Sequence, residues 1–425
     1  MAAFRFLHAA DLHLDSPLRG LAGDAPVERI RAASQVALER LVELAVAEEV
    51  SFVVLAGDLY DGDWQDWRTG QTLVAALGRL TRAGIRVVAI RGNHDAQSVL
   101  TRSLRLPEGA ALLDAGRPDT LLLPELSVAV HGQSFATREV KENLARNYPA
   151  PEPGCFNVGL LHTAATGRDG HAGYAPCTTE QLAGHGYDYW ALGHVHVREE
   201  LLRGPWIVFP GNLQGRHANE TGVKGASLVT VRDGAVASVE HRALDAVRWA
   251  RVAVDCTGAD DEETVLNRVR RALGGAVDGA EGRLLAARVV LHGPCAAHLS
   301  LAQDPGATRE KVRGTGLEVA DADRLWIEAV RIGTRPALDI PALRARTDAV
   351  GRLVRAIETL SGDRSPLARP VAEYAGAMLD RGAGGLRDAL GPDHPAVQAA
   401  AGSIPPELLE RARHLLLASL AEESA

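Results

Sequence analysis

The sequence predicts an α/β fold built on a mostly parallel sheet, and two observations support this class. The run at residues 52–56 is apolar throughout, as strands buried on both faces are, and it ends on Gly57 and Asp58. Strand and helix patterns also alternate over residues 4–95, which is typical of parallel strands joined by helical crossovers. A carboxylate that follows a buried strand lies where such sheets form their ligand crevice, so Asp58 is expected in a site.

The remaining elements of this region follow in chain order. A first strand is predicted at residues 4–10, and the helix after it is expected to begin near Asp24 and Pro26, because Pro suits the opening turn of a helix. A second helix is predicted at about residues 66–82 and a strand at 85–90. Further strands are predicted at 128–130, 157–161, 189–192, 206–209, 226–231 and 235–239. A Gly-rich loop is predicted at 167–173.

The later part of the chain predicts two further segments. Strand patterns at 250–254, 286–291 and 326–330, with a helical pattern at 262–273, indicate a small α+β domain. Apolar residues then recur at helical spacing towards the end of the chain. We therefore predict three parts, at residues 1–243, 244–335 and 336–425, the last of them helical.

Composition excludes several classes of protein. The chain has 425 residues, and its 54 acidic residues exceed its 46 basic ones, so its net charge of −8 argues against nucleic-acid binding by bulk attraction alone. The four cysteines form no C-x-x-C pair, which argues against a disulfide framework or a thiolate zinc site and favours a reducing cytoplasm. No run approaches the roughly 18 apolar residues of a membrane span, so no membrane association is expected.

Polar side chains of the types that bind metal ions follow the predicted strands. They are Asp11, His13, Asp58, Asn93, His162, His194 and His196. Because the ends of such strands converge on one edge of the sheet, we expect these side chains to meet. Carboxylate, imidazole and amide ligands suit Mn²⁺, which we favour, and also Fe²⁺, Zn²⁺ or Mg²⁺. The set is too large for one ion and fits two.

These side chains belong to short motifs whose order resembles a known family. The motifs are D-x-H at 11–13, G-D at 57–58, G-N-H-D at 92–95, a lone His162 and G-H-x-H at 193–196. Together they resemble the calcineurin-like metallophosphoesterase superfamily. Residues 8–14, 56–61 and 210–216 further resemble the SbcD-type DNA-repair exonucleases, and most of all their YhaO-type branch. The resemblance implies a four-layer sandwich of two mixed sheets flanked by helices, with a DNA-capping domain at 244–335.

The resemblance also implies a role for each motif residue. It places one metal ion on Asp11, His13, Asp58 and His196, and a second on Asp58, Asn93, His162 and His194, so that Asp58 bridges the two. His94 corresponds to the family's non-ligand histidine, which stabilises the transition state and protonates the leaving group, and we expect Asp95 to fix its tautomer. The alternative for Asp95 is a carboxylate that caps its own loop.

Candidate substrate contacts are less specific. They are Arg91, Asn212, Gln214, Arg216 and His217. Many SbcD-type enzymes carry a second non-ligand histidine where this chain has Asp61, which cannot repeat the role of a cationic imidazole next to phosphate. Trp64 and Trp67 could stack on splayed bases, although packing of the following helix is the favoured alternative.

The function that this resemblance implies is DNA hydrolysis by a two-metal exonuclease in end processing and repair. Its partners would be DNA and an SMC-like coiled-coil ATPase docked on residues 336–425, with a homodimer also possible. Two alternatives stay open from the sequence. One is a metallophosphoesterase acting on nucleotides, phosphoproteins or small phosphoesters, and the other is a DNA-end-sensing scaffold with little turnover.

Overall fold

A computed structural model gives the structure of the chain. It describes residues 3–18, 26–61, 67–97, 105–165, 174–337, 340–362, 365–381, 390–391, 394–406, 408–409 and 412. Some predictions concern parts of the chain that lie outside these described residues. They are the predictions for Asp24, Trp64, the side chain of Trp67, the 167–173 loop and most of the helical pattern near the end of the chain.

The chain alternates strands and helices before it becomes mainly helical. The strands are β1 (Phe4–Ala9), β2 (Phe52–Ala56), β3 (Arg86–Ile90), β4 (Ala110–Leu112), β5 (Asp119–Leu123), β6 (Val128–Gly132), β7 (Phe156–His162), β8 (Tyr189–Gly193), β9 (Glu199–Leu202), β10 (Trp206–Phe209), β11 (Gly225–Arg232), β12 (Ala235–Ala243), β13 (Val247–Asp255), β14 (Leu284–Cys295) and β15 (Leu325–Pro336). The helices are α1 (Val27–Ala47), α2 (Trp67–Arg82), α3 (Thr179–Ala183), α4 (Glu262–Gly279), α5 (His298–Gln303), α6 (Pro305–Val319), α7 (Ile340–Ala345), α8 (Ala349–Gly362), α9 (Ser365–Arg381) and α10 (Pro395–Ala400).

Two six-stranded mixed sheets form the main body of the fold. The first has the order β12-β11-β1-β2-β3-β4, in which β1 to β4 are parallel, β11 runs antiparallel to β1, and β12 runs antiparallel to β11. The second has the order β5-β6-β7-β8-β10-β9, with antiparallel strands only at its two edges. A third sheet contains β13, β14 and β15. The predicted crossover topology of β1, β2 and β3 is confirmed.

Apolar layers on both faces of each large sheet hold the body together. Between the sheets, Phe6 stacks on Phe52 with ring centroids 4.7 Å apart, within a buried cluster contributed by both sheets. The other face of the first sheet packs on α1 and α2 through residues such as Leu41 and Leu77. The outer face of the second sheet buries Trp190, whose indole donates to the carbonyl of Leu182 in α3. The predicted fold class, two mixed sheets flanked by helices, is confirmed.

The chain divides into two compact units, each built from several segments. The first unit comprises Met1–Val252, Leu273–Arg288 and Val319–Ala329. The second comprises Ala253–Ala272, Val289–Glu318 and Val330–Ala425. The three domains predicted at 1–243, 244–335 and 336–425 stay a prediction. Within the described residues, every helix is too short or too polar to cross a membrane.

Several elements were not predicted, for local physical reasons. Strands β4, β5 and β9 are short and only partly buried, so they lack the apolar run or strict alternation that indicates a strand. Helix α6 contains Gly306, Gly314 and Gly316, which weaken intrinsic helix propensity. The strands predicted at 226–231 and 235–239 are joined by a tight turn at Asp233-Gly234, and both of its residues have positive φ, as such a hairpin requires.

Candidate metal centre

The predicted metal-type side chains meet at one edge of the two large sheets. Asp11 and His13 follow β1, Asp58 follows β2 and Asn93 follows β3. The second sheet supplies His162 from the last position of β7, and His194 and His196 from beyond β8. All of those on the first sheet are buried, with Asp11 fully inaccessible and Asn93 3% exposed. A group of ionisable side chains buried together needs compensating charge.

Backbone conformation at these positions is strained. Asp11, His13, Asp58 and His194 have φ values of 52°, 44°, 49° and 96°. In this left-handed region a non-glycine residue costs about 1–2 kcal/mol. The surrounding structure enforces it, since the backbone N–H groups of Asp11 and His13 donate to the carbonyls of Gly57 and Asp58, each at 3.0 Å. Strain concentrated in this way is typical of functional sites.

One group of ligand atoms comes from Asp11, His13 and His196. Their ligand atoms all lie within 4.8 Å of one another. The Nε2 atoms of His13 and His196 face each other at 3.2 Å, and His196 Nε2 is 3.8 Å from Asp11 Oδ1. Two imidazole nitrogens aimed at one point are arranged as cation ligands are. His13 Nε2 also lies 3.8 Å from Asp58 Oδ2.

A second group comes from Asp58, His162 and His194, again within 4.8 Å of one another. His162 Nε2 is 3.5 Å from Asp58 Oδ2 and 3.0 Å from the amide oxygen of Asn93. His162 Nδ1 donates to the carbonyl of Ala56 at 2.9 Å, which fixes the ring with Nε2 towards the group. The same oxygen of Asp58 faces both groups.

Electrostatics supports the fit to cations. Burial lowers the pKa of His162, but the carboxylate of Asp58 outweighs it and raises that pKa to about 9. Burial would raise the pKa of Asp58, yet His162 and His13 hold it well below its usual range. The chain thus presents an ionised carboxylate beside an imidazolium whose proton a cation would displace. Donors of this type and number fit two hard or borderline divalent cations.

His94 lies beside the two groups, and Asp61 is its partner. The ligand atoms of His94, His13 and Asp58 also fall within 4.8 Å. His94 Nδ1 is 2.7 Å from Asp61 Oδ1. This hydrogen bond is the main cause of a raised pKa for His94, and burial opposes it. The sequence had suggested Asp61 only as a departure from the family pattern. In the structure it orients the ring.

The role predicted for Asp95 is corrected. Its carboxylate does not orient His94. It accepts the backbone N–H groups of Leu59, Tyr60 and Gly92 at 3.0, 2.9 and 3.0 Å. It therefore ties together the loops that follow β2 and β3, which is the loop-capping alternative. Burial and the neighbouring charge of Asp58 raise the pKa of Asp95 to about 7.

Glu220 is a site residue that the sequence reasoning missed. Its Oε1 accepts from His196 Nδ1 at 2.7 Å, which leaves Nε2 of that ring for a cation. Burial would raise the pKa of Glu220, but His196 and Arg216 hold it well below its usual range. Glu220 follows no strand, so the pattern that indicated the other residues could not find it. A carboxylate four residues after Arg216 was the available signal.

The predicted substrate contacts divide into three kinds. Asn212 and Gln214 are buried and bonded within the chain: Gln214 donates to the carbonyl of Val247 at 2.6 Å, and Asn212 donates to Glu220 at 2.9 Å, and their contact with a substrate stays a prediction. Arg216 lies between Asp61 and Glu220. His217 and Arg91 remain accessible, with 56% of the His217 side chain exposed. Within the described part of the chain, the Arg91 guanidinium has no acidic partner.

Comparison with known proteins places this geometry in a family. Residues 4–198 match the model of the calcineurin-like phosphoesterase family, and residues 249–335 match that of the middle domain of metallophosphoesterase YhaO. The chain is 36% identical over 270 residues to the uncharacterized metallophosphoesterase YhaO of Bacillus subtilis, covering 62% of this chain and 66% of that protein. It is 29% identical over 365 residues to the DNA double-strand break repair protein Mre11 of Methanopyrus kandleri, covering 76% and 70%. The Mre11 protein of Haloferax volcanii is 29% identical over 317 residues, covering 68% and 70%. The chain thus spans about two thirds of the length of these relatives.

Proposed function

The chain belongs to the calcineurin-like metallophosphoesterase superfamily, in its YhaO-type branch, and from this premise we propose that it is a two-metal-dependent DNA exonuclease acting in end processing. A metal-dependent phosphoesterase follows from the family. The choice of DNA rests on similarity to proteins named for DNA double-strand break repair. The observation that carries the proposal is the convergence of two ligand groups on one shared carboxylate, Asp58.

The chain's own side chains would hold the cations in the following way. Asp11, His13 and His196 would hold one ion, and Asn93, His162 and His194 the other, with Asp58 between them. Two bound divalent ions supply a nucleophilic water at neutral pH and neutralise charge that builds on the phosphoryl oxygens. We propose Mn²⁺ as the ion, because the donor set is oxygen and imidazole nitrogen without thiolate.

His94 would act on the leaving group. Its Nδ1 is held by Asp61, so its Nε2 is the nitrogen that can carry a proton to the departing sugar oxygen. The raised pKa keeps the ring protonated at the start of the reaction. With 31% of its side chain exposed, His94 remains reachable by a substrate, unlike the buried His13 and His162.

Arg91 would bind a phosphate of the strand. It directly precedes the Gly92-Asn93-His94 loop, its side chain is half-buried, and its Nε has no hydrogen-bond partner among the described residues. An arginine without an acidic partner, in the loop that carries Asn93 and His94, is suited to bidentate contact with a phosphate diester.

Partner binding forms a separate part of the proposal. Helices α8 and α9 expose large apolar side chains, among them Leu353 at 43%, Tyr374 at 72% and Met378 at 59%. Exposed apolar side chains on helices suit contact with a partner helix or a coiled coil. We propose these helices as the docking surface of an SMC-like ATPase, with residues 244–335 as the DNA-capping domain.

A direct test uses purified protein, Mn²⁺ and end-labelled linear duplex DNA, with a closed circular duplex in parallel. We expect shortening of the linear duplex, and loss of that activity in Asp58→Ala and His94→Gln variants that keep their thermal unfolding transition. If the protein hydrolyses only small phosphodiesters and leaves DNA intact, its substrates are nucleotides or other small phosphoesters instead of DNA. Salt-sensitive DNA binding without cleavage would favour the end-sensing scaffold.

A further inference from the structure

Arg216 lies between two carboxylates that serve different parts of the metal centre. Its Nη1 donates to Asp61 Oδ2 at 3.2 Å, and its Nη2 donates to Glu220 Oε1 at 3.0 Å. Its Nε also faces Glu220 Oε1 at 3.3 Å. Only 17% of the side chain is exposed. The guanidinium is therefore largely committed to these two acids, and little of it remains for a substrate.

The first carboxylate leads to the proton donor. Asp61 Oδ1 faces His94 Nδ1 at 2.7 Å, while the other oxygen, Oδ2, accepts from Arg216 and from the hydroxyl of Ser16 at 2.7 Å. One oxygen thus holds the imidazole, and the other is anchored by two donors. The anchor decides which way the Asp61 carboxylate points, and so how the His94 ring is turned.

The second carboxylate leads to a metal ligand. Glu220 Oε1 faces both His196 Nδ1 at 2.7 Å and the Arg216 side chain. Glu220 Oε2 accepts the backbone N–H of Arg216 at 2.7 Å and the amide of Asn212 at 2.9 Å. Arg216 therefore clamps Glu220 from its backbone and its side chain together. That clamp fixes the plane in which His196 presents Nε2.

We propose that Arg216 is a positioning residue that couples the proton donor His94 to the metal ligand His196 by holding Asp61 and Glu220 in one frame. The inference deepens the proposed function and rests on it for the roles of the two histidines. It replaces the expectation that Arg216 binds substrate. A planar fork with separate nitrogens reaches both carboxylates together, which the single ammonium of a lysine cannot do.

Charge in this frame is consistent with the role. Burial disfavours the Arg216 cation, but Glu220 and Asp61 outweigh this and raise its pKa further. One cation shared by two carboxylates lowers their mutual repulsion. Without the Arg216 guanidinium, Asp61 would still contact His94 and Glu220 would still contact His196, but no side chain would hold the two carboxylates relative to each other.

The test compares Arg216→Gln and Arg216→Lys with a matched control, Arg288→Gln. Arg288 is also partly buried and forms a two-bonded pair, with Glu328 at 2.6 and 2.8 Å, but it lies on the third sheet, away from the centre. Mn²⁺ binding is titrated calorimetrically without substrate. Turnover is measured on bis(p-nitrophenyl) phosphate and on a dinucleotide, a small phosphodiester whose only leaving group is a sugar alkoxide.

We expect Arg216→Gln to weaken the affinity for one of two Mn²⁺ ions about tenfold and to lower kcat about tenfold or more, as loss of support behind metal ligands does. KM should stay within about twofold, and the loss should be larger for the poorer leaving group. Arg216→Lys keeps the positive charge but cannot bond both carboxylates, so it should recover only a small part of the lost Mn²⁺ affinity and kcat. Arg288→Gln should leave both the Mn²⁺ isotherm and kcat unchanged.

A raised KM with unchanged kcat and unchanged Mn²⁺ affinity would make Arg216 a substrate-binding residue and overturn the inference. So would a variant with native kinetics and native metal binding. Because the comparison uses small diesters, it still decides the role of Arg216 if the wild-type protein leaves DNA intact. That second result would overturn only the proposed nuclease specificity.

Discussion

The clearest prediction concerns Asp61→Asn. In the native site one Asp61 oxygen faces His94 Nδ1 at 2.7 Å, and the other accepts from Ser16 and Arg216. In the variant those two donors claim the single amide oxygen, so the amide NH₂ turns towards His94. The imidazole must then accept at Nδ1, and it loses the carboxylate that favours its cationic form.

The magnitude follows from the type of bond that is lost. A hydrogen bond to a charged group is worth about 1.5–3 kcal/mol. At 1.36 kcal/mol for each factor of ten, kcat for DNA or another substrate with an alkoxide leaving group should fall by about 10- to 100-fold. A p-nitrophenolate leaving group needs no proton, so its rate should fall by less than about threefold.

The pH profile gives an independent measure of the same change. Asp61 raises the pKa of His94, and a proton donor loses activity as the pH rises through its pKa. Removing the carboxylate should therefore move the alkaline fall of kcat to lower pH. Steady-state kinetics from pH 5.5 to 9.5 on both substrates would record it, under saturating Mn²⁺.

Asp95→Asn is the matched control, since it removes a second buried carboxylate from the neighbouring loop. Its acceptors serve three backbone N–H groups, so the expected loss is folding stability, about 2–4 kcal/mol, with a native pH profile for the folded fraction. The reasoning fails if Asp61→Asn slows both substrates equally with an unmoved profile. It fails as well if Asp95→Asn shows the leaving-group dependence instead.

Three further predictions follow from the centre and the core. Gly57→Ala should weaken Mn²⁺ binding more than about tenfold, because Gly57 has φ of 93° and an added Cβ would lie 2.5 Å from His162 Nδ1. Calorimetry would detect the loss of affinity. The control Gly84→Ala, also at positive φ but with open space around it, should bind Mn²⁺ normally. Mn²⁺ affinity should rise about tenfold per pH unit between pH 6 and 8, since the pKa of His162 is raised to about 9 and its proton must leave when the cation binds; a flat titration contradicts this. Burial lowers the pKa of His8 to about 3, so the unfolded chain takes up a proton below about pH 6.5 that the folded chain refuses, and His8 by itself should lower the free energy of unfolding by about 1.4 kcal/mol per pH unit down to pH 5. Chemical denaturation of His8→Gln should lack that slope, and an identical slope in both proteins would refute it.

The strand ends of the fold could be predicted because their signal is local. A buried run such as 52–56 followed by Asp58 identifies both the strand and the position of its polar end. Since parallel strands place such ends on one edge, meeting of the ligands follows without knowledge of the loops. The same logic predicted that Asn93, which follows β3 of the first sheet, and His162, which ends β7 of the second sheet, would meet.

The partners of the histidines could not be predicted in this way. Asp61 lies three residues after Asp58, and Asp95 lies two residues after Asn93, each in a different loop. Only the folded conformation of these loops decides which carboxylate meets His94. Glu220 and Gln214 belong to one irregular loop in which polar residues point to the centre or to the backbone without any period. Sequence spacing holds no information on that choice.

The left-handed backbone at four of the predicted ligand positions bears on whether their side chains are retained during evolution. Glycine at any of them would relieve about 1–2 kcal/mol of strain and forfeit about 0.5–1 kcal/mol of chain entropy, so backbone conformation alone gives no reason to keep an aspartate or a histidine there. A lineage that had abandoned the chemistry would relieve backbone strain by drifting to glycine at His13 or His194, whereas loss of Asp11 or Asp58 would also leave the backbone N–H of His194 or His94 without its acceptor. Retention of all four side chains against that strain is what the proposed metal chemistry would select for.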